Sequence, residues 1–470
     1  MHEKKTKIVC TIGPSSWEPE IMKGLIDAGM NIARVNAAFA DPEEMDRVRK
    51  LVHGISDEVA LMIDIKGPEV RLNKFPEPIE IQVGDEIIIG NSDDCEIYPS
   101  NYKDLYKSLE AGQRMVVGDG DVELELKEIQ GDKMHCEVKL GKLLKPGKAL
   151  NLPGADYSST VLTEKDKERL GHGMKTGWEM VSASFISDKE SAQEVRDFMG
   201  DSEMRLIAKI ENQEGVDNID DILEIVDGIM IARGGLGVEI GLEKVNIAQR
   251  ILTKKAAEAG KPSITATQML ESMTENPRPT RAEASDATTA VLLGSDALMT
   301  SAETTTGKYP VDAIKFLTKA AHEAERYVQP KIVTTPSLIS RETDAITKAA
   351  AEVCINMDDE IDAVLVVSKT GRTAGNLGRH GISQPIYAFA SDGFYKRAVM
   401  LYKGINRAFV YEGIENDCQD YDRDIGIKVI IGLGKEKGVI RSGQTVLFLG
   451  RPPMGRKEFF PNIFEIVKVE

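Results

Sequence analysis

Residues 205–234, RLIAKIENQEGVDNIDDILEIVDGIMIARG, contain one complete unit of the pattern that decides the fold. Two continuous apolar runs, RLIAKIEN (205–212) and GIMIARG (228–234), flank an amphipathic stretch. Continuous apolar strands that are joined by helices are typical of a parallel sheet whose two faces are both covered. The stretch therefore predicts a β–α–β unit of an α/β protein.

The same unit recurs along the first 330 residues. The predicted strands are KIVCTIG (7–13), NIARVN (31–36), ALMIDI (60–65), VSASFI (181–186), RLIAKIEN (205–212), GIMIARG (228–234), PSITATQ (262–268) and DALMTS (296–301). Eight strand–helix units are the number that a closed (β/α)8 TIM barrel requires. An open doubly wound sheet is the alternative, but the chain lacks a Rossmann fingerprint, and we predict closure.

The alternation is interrupted once, after the third strand. From residue 68 to 157, alternating segments such as IEIQVGDEIIIG and RMVVGDGDVELELKEIQ are separated by turn residues, which predicts a small inserted all-β module. A Pro/Thr-rich linker after Val328 precedes a second α/β series. We predict a barrel domain (1–67 and 158–330), an inserted β domain (68–157) and a C-terminal α/β domain (331–470).

The composition indicates a globular chain with a strongly acidic surface. Acidic residues number 76 and basic residues 59, which gives a net charge of −17. This charge disfavours nucleic acids and anionic membranes as partners, and no apolar run is long enough to predict a membrane span. The five scattered cysteines fit reduced thiols. These features favour a cytoplasmic enzyme.

Polar residues stand where the predicted strands end. In a barrel of this type the C-terminal strand ends meet at one mouth, and function lies there. The residues at these ends are Arg34, Asn36, Asp64, Lys66, Lys209, Glu211, Arg233, Gly234, Gly235, Thr267, Gln268, Ser301 and Glu303. Cations bind phosphate oxygens, and a carboxylate such as Glu211 binds Mg²⁺. Structural salt bridges are the alternative, but the set as a whole predicts a phosphorylated substrate and a divalent metal.

Several long strings resemble the pyruvate kinase family. They are TKIVCTIGPSS, DIKGPEVR, KPGKALNLPG, LTEKD, IAKIENQEGV, IARGGLGVEI, ATQMLESM, NPRPTRAEASD and SAETTTGKYP. The resemblance covers the barrel, the end of the insertion and, more loosely, the C-terminal domain. It implies phosphoryl transfer from phosphoenolpyruvate to ADP in glycolysis, giving pyruvate and ATP, with Mg²⁺ or Mn²⁺ and usually K⁺. It also implies that the insertion (68–157) is a small β-barrel lid domain and that the enzyme is a cytoplasmic homotetramer.

The resemblance implies a role for individual residues. Arg34, Lys209 and Thr267 match the catalytic positions. Arg34 is expected to bind the substrate phosphate, and Lys209 is expected to stabilise the phosphoryl group during transfer. The backbone amides around Gly234 and Gly235 are expected to receive the substrate carboxylate, and Thr267 completes that pocket.

The metal and nucleotide positions follow in the same way. Glu211 matches a ligand of Mg²⁺. Asn36, Arg71 and Lys148 fall where the family contacts the nucleotide. The monovalent-cation positions are Asn36, Asp64 and the residue after it, Ile65.

The chain departs from the family at this mouth. Ala38 replaces the serine that ligates K⁺, and Ile65 replaces a threonine, so K⁺ is expected to bind weakly or not at all. Gly235 stands where the family has a second metal-binding aspartate. One interpretation is a pyruvate kinase with weakened metal binding. The alternative is an impaired or repurposed paralogue that binds a phosphorylated or carboxylate ligand for regulation, or acts on another enol or keto acid.

A second motif lies in the C-terminal domain. Ser368, Lys369, Thr370, Gly371, Arg372 and Thr373 follow the predicted strand AVLVV and open a predicted helix. Hydroxyls and free amides at such a point bind phosphate. The motif resembles the effector-phosphate loop of the family and implies a phosphorylated allosteric effector. A plain turn with a helix cap is the alternative.

Overall fold

The computed structural model describes residues 4–73, 75, 77–91, 97–99, 102, 104–118, 120–155, 160–414, 423–450 and 463–470. The chain opens with β1 (Lys7–Thr11), α1 (Pro19–Ala28), β2 (Ile32–Asn36), α2 (Pro42–Ile55) and β3 (Ala60–Ile65). Every residue of β1 and β3 is buried, as the continuous apolar runs predict. Asp41 begins α2 by accepting the N–H of Glu44. Gly29 ends α1 with a φ of 119°, a conformation that favours glycine.

Short strands fill the inserted segment, which we define as residues 68–155. They are β4 (Leu72–Asn73), β5 (Ile79–Glu80), β6 (Glu86–Ile89), β7 (Tyr98–Pro99), β8 (Arg114–Val117), β9 (Val122–Gln130), β10 (Lys133–Leu140), β11 (Leu143–Leu144) and β12 (Leu150–Asn151). Strands β12, β8, β9, β10 and β6 form one antiparallel sheet in that order, and β4–β7 and β5–β11 form two ladders.

The inserted segment is all-β, as predicted. Single bridges join its two larger pieces, because Arg71 pairs with Ala149 and Ile89 with Ile97. The strands β6, β7, β4, β12, β8, β9 and β10 therefore follow one another around a small β-barrel. The segment has its own apolar core, to which β9 and β10 contribute every second residue. The predicted boundary at 157/158 lies outside the described residues, and the three-domain division stays a prediction.

Five more barrel strands follow the insertion: β13 (Met180–Ala183), β14 (Arg205–Ile210), β15 (Gly228–Ala232), β16 (Ser263–Ala266) and β17 (Ala297–Thr300). Their helices are α3 (Glu164–Thr176), α4 (Lys189–Met199), α5 (Gln213–Asp217), α6 (Ile219–Ile225), α7 (Arg233–Ile240), α8 (Leu242–Ala259), α9 (Arg281–Leu293), α10 (Ala302–Thr305) and α11 (Pro310–Glu325). The strands close in the order β1-β17-β16-β15-β14-β13-β3-β2, and every pair is parallel. The predicted TIM barrel is confirmed, and the open sheet is wrong.

The barrel has two apolar layers. Side chains that include Val9, Ile32, Met62, Met230 and Ile264 form a cluster inside the ring of strands. A larger cluster lies between the strands and the surrounding helices. This packing explains why the strands are apolar along their whole length, since both faces of each strand are covered.

The C-terminal part forms a second α/β layer. It consists of α12 (Arg341–Asn356), β18 (Ala363–Val367), α13 (Arg372–Gly378), β19 (Ile386–Ala390), α14 (Gly393–Ala398), β20 (Ile405–Val410), α15 (Arg423–Glu436), β21 (Thr445–Gly450) and β22 (Ile463–Lys468). The strand order is β20-β19-β18-β21-β22, and only β22 is antiparallel to its neighbour. This series was predicted from the sequence and is confirmed.

Ion pairs join the C-terminal part to the end of the barrel where the strands begin. Asp227, just before β15, lies 3.1 Å from Arg372 and 2.8 Å from Arg196 of the barrel. Glu179, just before β13, is fully buried and lies 2.5 Å from Arg397. The C-terminal part therefore docks at the barrel end opposite the catalytic mouth. Among the described helices, none is both long and apolar enough to cross a membrane.

Candidate active site

A cavity of about 830 Å³ opens between the C-terminal ends of the barrel strands and the inserted segment. Nine of the predicted site residues line it: Arg34, Asn36, Asp64, Lys66, Arg71, Lys148, Lys209, Glu211 and Gly235. The structure therefore brings together residues from three barrel strands, one helix and the insertion. Gly234, Thr267 and Ile65 do not line this cavity. Gly234 and Ile65 are next to residues that do, and Thr267 contacts Gly234.

Arg34 and Asp64 form a buried ion pair at the centre of the mouth. Both Nε and Nη2 of Arg34 lie close to Oδ2 of Asp64, at 3.1 and 3.0 Å. Nη1 of Arg34 donates to the Thr11 hydroxyl at 2.7 Å. Burial by itself raises the pKa of Asp64, but the charges of Arg34 and Lys209 outweigh it, and the pKa lies below its usual value. Asp64 is therefore ionised and fixes the guanidinium of Arg34.

Lys209 stands between the two carboxylates of the mouth. Its Nζ lies 3.2 Å from Asp64, 3.3 Å from Glu211 and 2.6 Å from the Ser184 hydroxyl. Burial lowers the pKa of Lys209, but Asp64 and Glu211 raise it more, so the net shift is upward. The ammonium group is therefore charged and held at three points.

Glu211 reaches the mouth from the end of β14. One carboxylate oxygen faces Lys209, and the other accepts the backbone N–H of Phe185 at 3.1 Å. Phe185 has a φ of 58°, a left-handed conformation that is strained for a side chain of this size. Strain of this kind persists where surrounding contacts impose it, and here it directs an N–H at Glu211.

The glycine-rich turn after β15 becomes the first turn of α7. Arg233 anchors it, because its guanidinium lies 2.5 Å from Asp286 and donates to the carbonyl of Thr267 at 2.7 Å. The N–H of Gly234 donates to the Thr267 hydroxyl at 2.7 Å. Thr267 and Gln268 both have positive φ, at 69° and 50°. The turn and the Thr267 loop are thus locked together beside the cavity.

The donors for a divalent metal are few. Within the described residues, no group of three or more His, Cys, Asp or Glu side chains is arranged to hold a metal. Glu211 faces the cavity, and Glu239, on α7, also lines it. Burial raises the pKa of Glu239 to about 7, and the Glu211 charge adds to that rise, while Arg114 opposes it. Two carboxylates fit a Mg²⁺ ion that takes its other ligands from water and substrate oxygens.

The residues at the predicted monovalent-cation site offer too few free oxygen ligands for K⁺. The Asn36 amide oxygen accepts the N–H of Ala38 at 3.0 Å, and both carboxylate oxygens of Asp64 are engaged by cations. Ala38 and Ile65 have no side-chain oxygen, and the Ala38 carbonyl accepts from Lys165 at 2.7 Å. K⁺ is coordinated by several oxygen atoms, and these residues do not supply enough of them.

The nucleotide positions predicted in the inserted segment face the same cavity. Arg71 lies 2.5 Å from Glu69 and donates to the carbonyl of Gly147 at 2.7 Å. Lys148 lies 3.6 Å from Asp121 and is well exposed. Both cations are thus on the insertion, across the cavity from the barrel strands.

The predicted effector loop, residues 368–373, is separate from this cavity. The Thr370 carbonyl accepts from Arg205 at 2.9 Å, and Arg372 pairs with Asp227, both at the opposite end of the barrel. The Ser368 hydroxyl accepts the N–H of Thr373, as a cap would. Its role in binding an effector stays a prediction.

Some residues of the mouth were not identified from the sequence. Ser182 and Ser184 of the fourth strand contact Asp64 and Lys209, and Thr11 contacts Arg34. A signal was present, since two serines alternate in the apolar run VSASFI and must face the same side. Glu239 had no such signal, because it lies in a helix beyond the strand end.

Comparisons with known proteins agree with this geometry. A family model described as the barrel domain of pyruvate kinase matches residues 3–314, and one for its alpha/beta domain matches residues 344–467. The pyruvate kinase of Borreliella burgdorferi is 35% identical over 100% of this chain and 98% of its own length. That of Clostridium acetobutylicum is 38% identical over 82% of this chain and 84% of its own length.

A solved structure extends the likeness to three dimensions. The crystal structure of a pyruvate kinase from Cryptosporidium parvum is 31% identical, covers 99% of this chain and 96% of its own, and gives a TM-score of 0.88. The family models and the full-length relatives lead to the same conclusion. The chain belongs to the pyruvate kinase family.

Proposed function

We propose that this enzyme transfers the phosphoryl group of phosphoenolpyruvate to ADP and forms pyruvate and ATP. The observation that carries the proposal is the buried cluster of Arg34, Asp64, Lys209 and Glu211 at a cavity that also holds cations of the insertion. The full-length relatives named pyruvate kinase support this reading over that of a repurposed paralogue.

Arg34 and Lys209 act on the phosphate. The guanidinium of Arg34, held by Asp64 and Thr11, presents a fixed fork of donors to phosphate oxygens. The Lys209 ammonium offsets the charge of the phosphoryl group while the enol C–O–P bridge breaks at phosphorus. The new bond forms to a terminal oxygen of ADP, and the enolate that leaves takes up a proton to become pyruvate. Catalysis of this kind relies on positioning and electrostatic stabilisation.

A divalent cation supports the same step. Mg²⁺ or Mn²⁺, when bound, neutralises oxygens of the phosphate and of the enolate, and Glu211 would hold it. Lys209 and Phe185 fix the two oxygens of Glu211. K⁺ has no part in the proposal, because the donors at Asn36, Asp64 and Ile65 do not fit it.

The remaining substrate groups meet neutral donors. The backbone N–H of Gly235, in the first turn of α7, would receive the carboxylate of phosphoenolpyruvate. The Gly234 N–H would have to leave the Thr267 hydroxyl to join it. Thr267, which accepts from the Gly234 N–H, would border the enol carbon. Arg71 and Lys148 would bind the phosphates of ADP across the cavity, with Asn36 near the ribose.

Assembly and regulation follow from family membership. We propose a homotetramer, and a phosphorylated effector that binds at Ser368, Lys369, Thr370, Gly371, Arg372 and Thr373. Sedimentation measures the first. For the second, the wild type should bind inorganic phosphate at this loop more tightly than a Thr370→Glu variant, whose added negative charge repels it.

The function is tested by following pyruvate with phosphoenolpyruvate, ADP and Mg²⁺. We expect turnover that stops when EDTA removes the metal. Arg34→Gln should raise KM for phosphoenolpyruvate and lower kcat, while Arg49→Gln, on α2 and distant from the cavity, should behave as wild type. Turnover that survives EDTA, or an Arg34→Gln variant with unchanged kinetics, would contradict the proposal.

A further inference from the structure

Gly235 leaves an empty place beside Glu211. A β-carbon added to Gly235 would lie 3.5 Å from the β-carbon of Glu211, which is ordinary contact, and no other atom would obstruct it. Gly235 has no positive φ. The backbone therefore does not require glycine here, and the place is open for a group that approaches from elsewhere.

Glu239 is the residue that approaches it. It stands four positions after Gly235 on α7, so the two residues share one face of the helix. Side chains of a helix lean toward its N-terminus, and a residue covers the turn before its own Cα. The long side chain of Glu239 is therefore directed back over Gly235, toward Glu211.

Among the described residues, the carboxylate of Glu239 has no hydrogen-bond or ion-pair partner. Glu239 lines the same cavity as Glu211. Arg114 is directed elsewhere, because its guanidinium lies 3.0 Å from Glu123 and donates to the carbonyl of Val238. Within the described part of the chain, no hydrogen bond or ion pair engages the Glu239 carboxylate.

We propose that Glu239 supplies the second carboxylate that holds the divalent cation, in place of the side chain that Gly235 lacks. The inference rests on the proposed function, which requires such a cation beside Glu211. Two facing carboxylates repel each other until a hard cation lies between them, and oxygen donors from substrate and water complete its shell. The carboxylate that is missing at position 235 is thereby replaced by the carboxylate of Glu239, one helical turn further along α7.

Binding of Mn²⁺ tests this without turnover. Free Mn²⁺ is measured by electron paramagnetic resonance during titration of the enzyme with phosphoenolpyruvate present and ADP absent. Glu239→Gln should weaken binding by about 10-fold or more, since even supporting groups around a ligand cost that much. Glu211→Gln should do the same. Glu214→Gln removes an equal but exposed charge of the same cavity and should change binding by less than about 2-fold.

A rescue variant distinguishes ligation from a general effect. Gly235→Asp in the Glu239→Gln background should restore the affinity, because the new side chain reaches Glu211 without strain. Equal weakening by Glu214→Gln would overturn the proposal. So would an unchanged Glu239→Gln variant next to a weakened Glu211→Gln variant, although the metal-dependent function would then stand. A wild type that binds no Mn²⁺ would overturn both.

Discussion

Replacement of Lys209 by methionine removes the positive charge that lies between Asp64 and Glu211. Methionine keeps the length and the apolar stem, so the change is chiefly electrostatic. At the observed 3.3 Å from Glu211, and with an effective dielectric of about 20, one unit charge contributes roughly 5 kcal/mol. A phosphoryl oxygen at a similar distance would lose a comparable stabilisation.

Part of this lost stabilisation is offset, because the neighbouring side chains relax and the divalent cation adds its own positive charge. If only about half is lost, roughly 2.5 kcal/mol, kcat falls about 70-fold, and the full loss of roughly 5 kcal/mol gives about a 5,000-fold fall. The assay is pyruvate formation with saturating phosphoenolpyruvate and ADP. Lys254→Met serves as the control, because that lysine side chain is 74% exposed and distant from the mouth.

The fold of the variant is checked by its thermal unfolding and circular dichroism. A folded Lys209→Met enzyme that keeps more than about a tenth of the wild-type kcat would refute the electrostatic role, since a tenfold loss corresponds to only about 1.4 kcal/mol. A similar loss in Lys254→Met would show that the effect is not specific to the mouth.

Three further predictions concern cations, docking and pH. Replacing K⁺ with a large organic cation should change the rate little, because the donors at Asn36 and Ile65 do not fit K⁺; a steep K⁺ activation would contradict this. Asp227→Asn should lower the free energy of unfolding in urea by roughly 3–5 kcal/mol, because three buried or half-buried arginines lose their anion; an unchanged midpoint would show that the cluster does not stabilise docking. The folded state raises the pKa of Glu239 from 4.5 to about 7, so it holds a proton that the unfolded chain releases. The free energy of unfolding of the wild type should therefore fall, relative to Glu239→Gln, as pH rises from 4.5 to about 7; parallel pH profiles would contradict that shift.

The barrel could be predicted because its signal is local and repeated. Each of the eight strands is an apolar run, and a helix follows it directly or, after β3, beyond the insertion. Strand β14 shows this in the sequence as clearly as in the structure. The rule that function lies at the C-terminal strand ends then placed Arg34, Lys209 and Glu211 at one mouth. Neither step needed a long-range contact to be known.

Other features depended on contacts between distant parts of the chain. The sequence does not show that Lys209 contacts Asp64, 145 residues earlier, or that loop 368–373 packs against the opposite end of the barrel. Glu239 was not predicted as a site residue, because only the geometry of helix α7 directs it toward Glu211.

The central claim is that this chain couples pyruvate formation to ATP synthesis although it has Gly235 where the family resemblance implies a metal-binding aspartate. The most direct measurement incubates the wild-type enzyme with phosphoenolpyruvate, ADP and Mg²⁺ in the absence of K⁺, and follows the phosphorus compounds by ³¹P and pyruvate by ¹H nuclear magnetic resonance. We predict that the phosphoenolpyruvate signal decays while ATP and pyruvate appear in equal amounts. Pyruvate and inorganic phosphate without ATP, or no change at all with a folded enzyme, would contradict this claim.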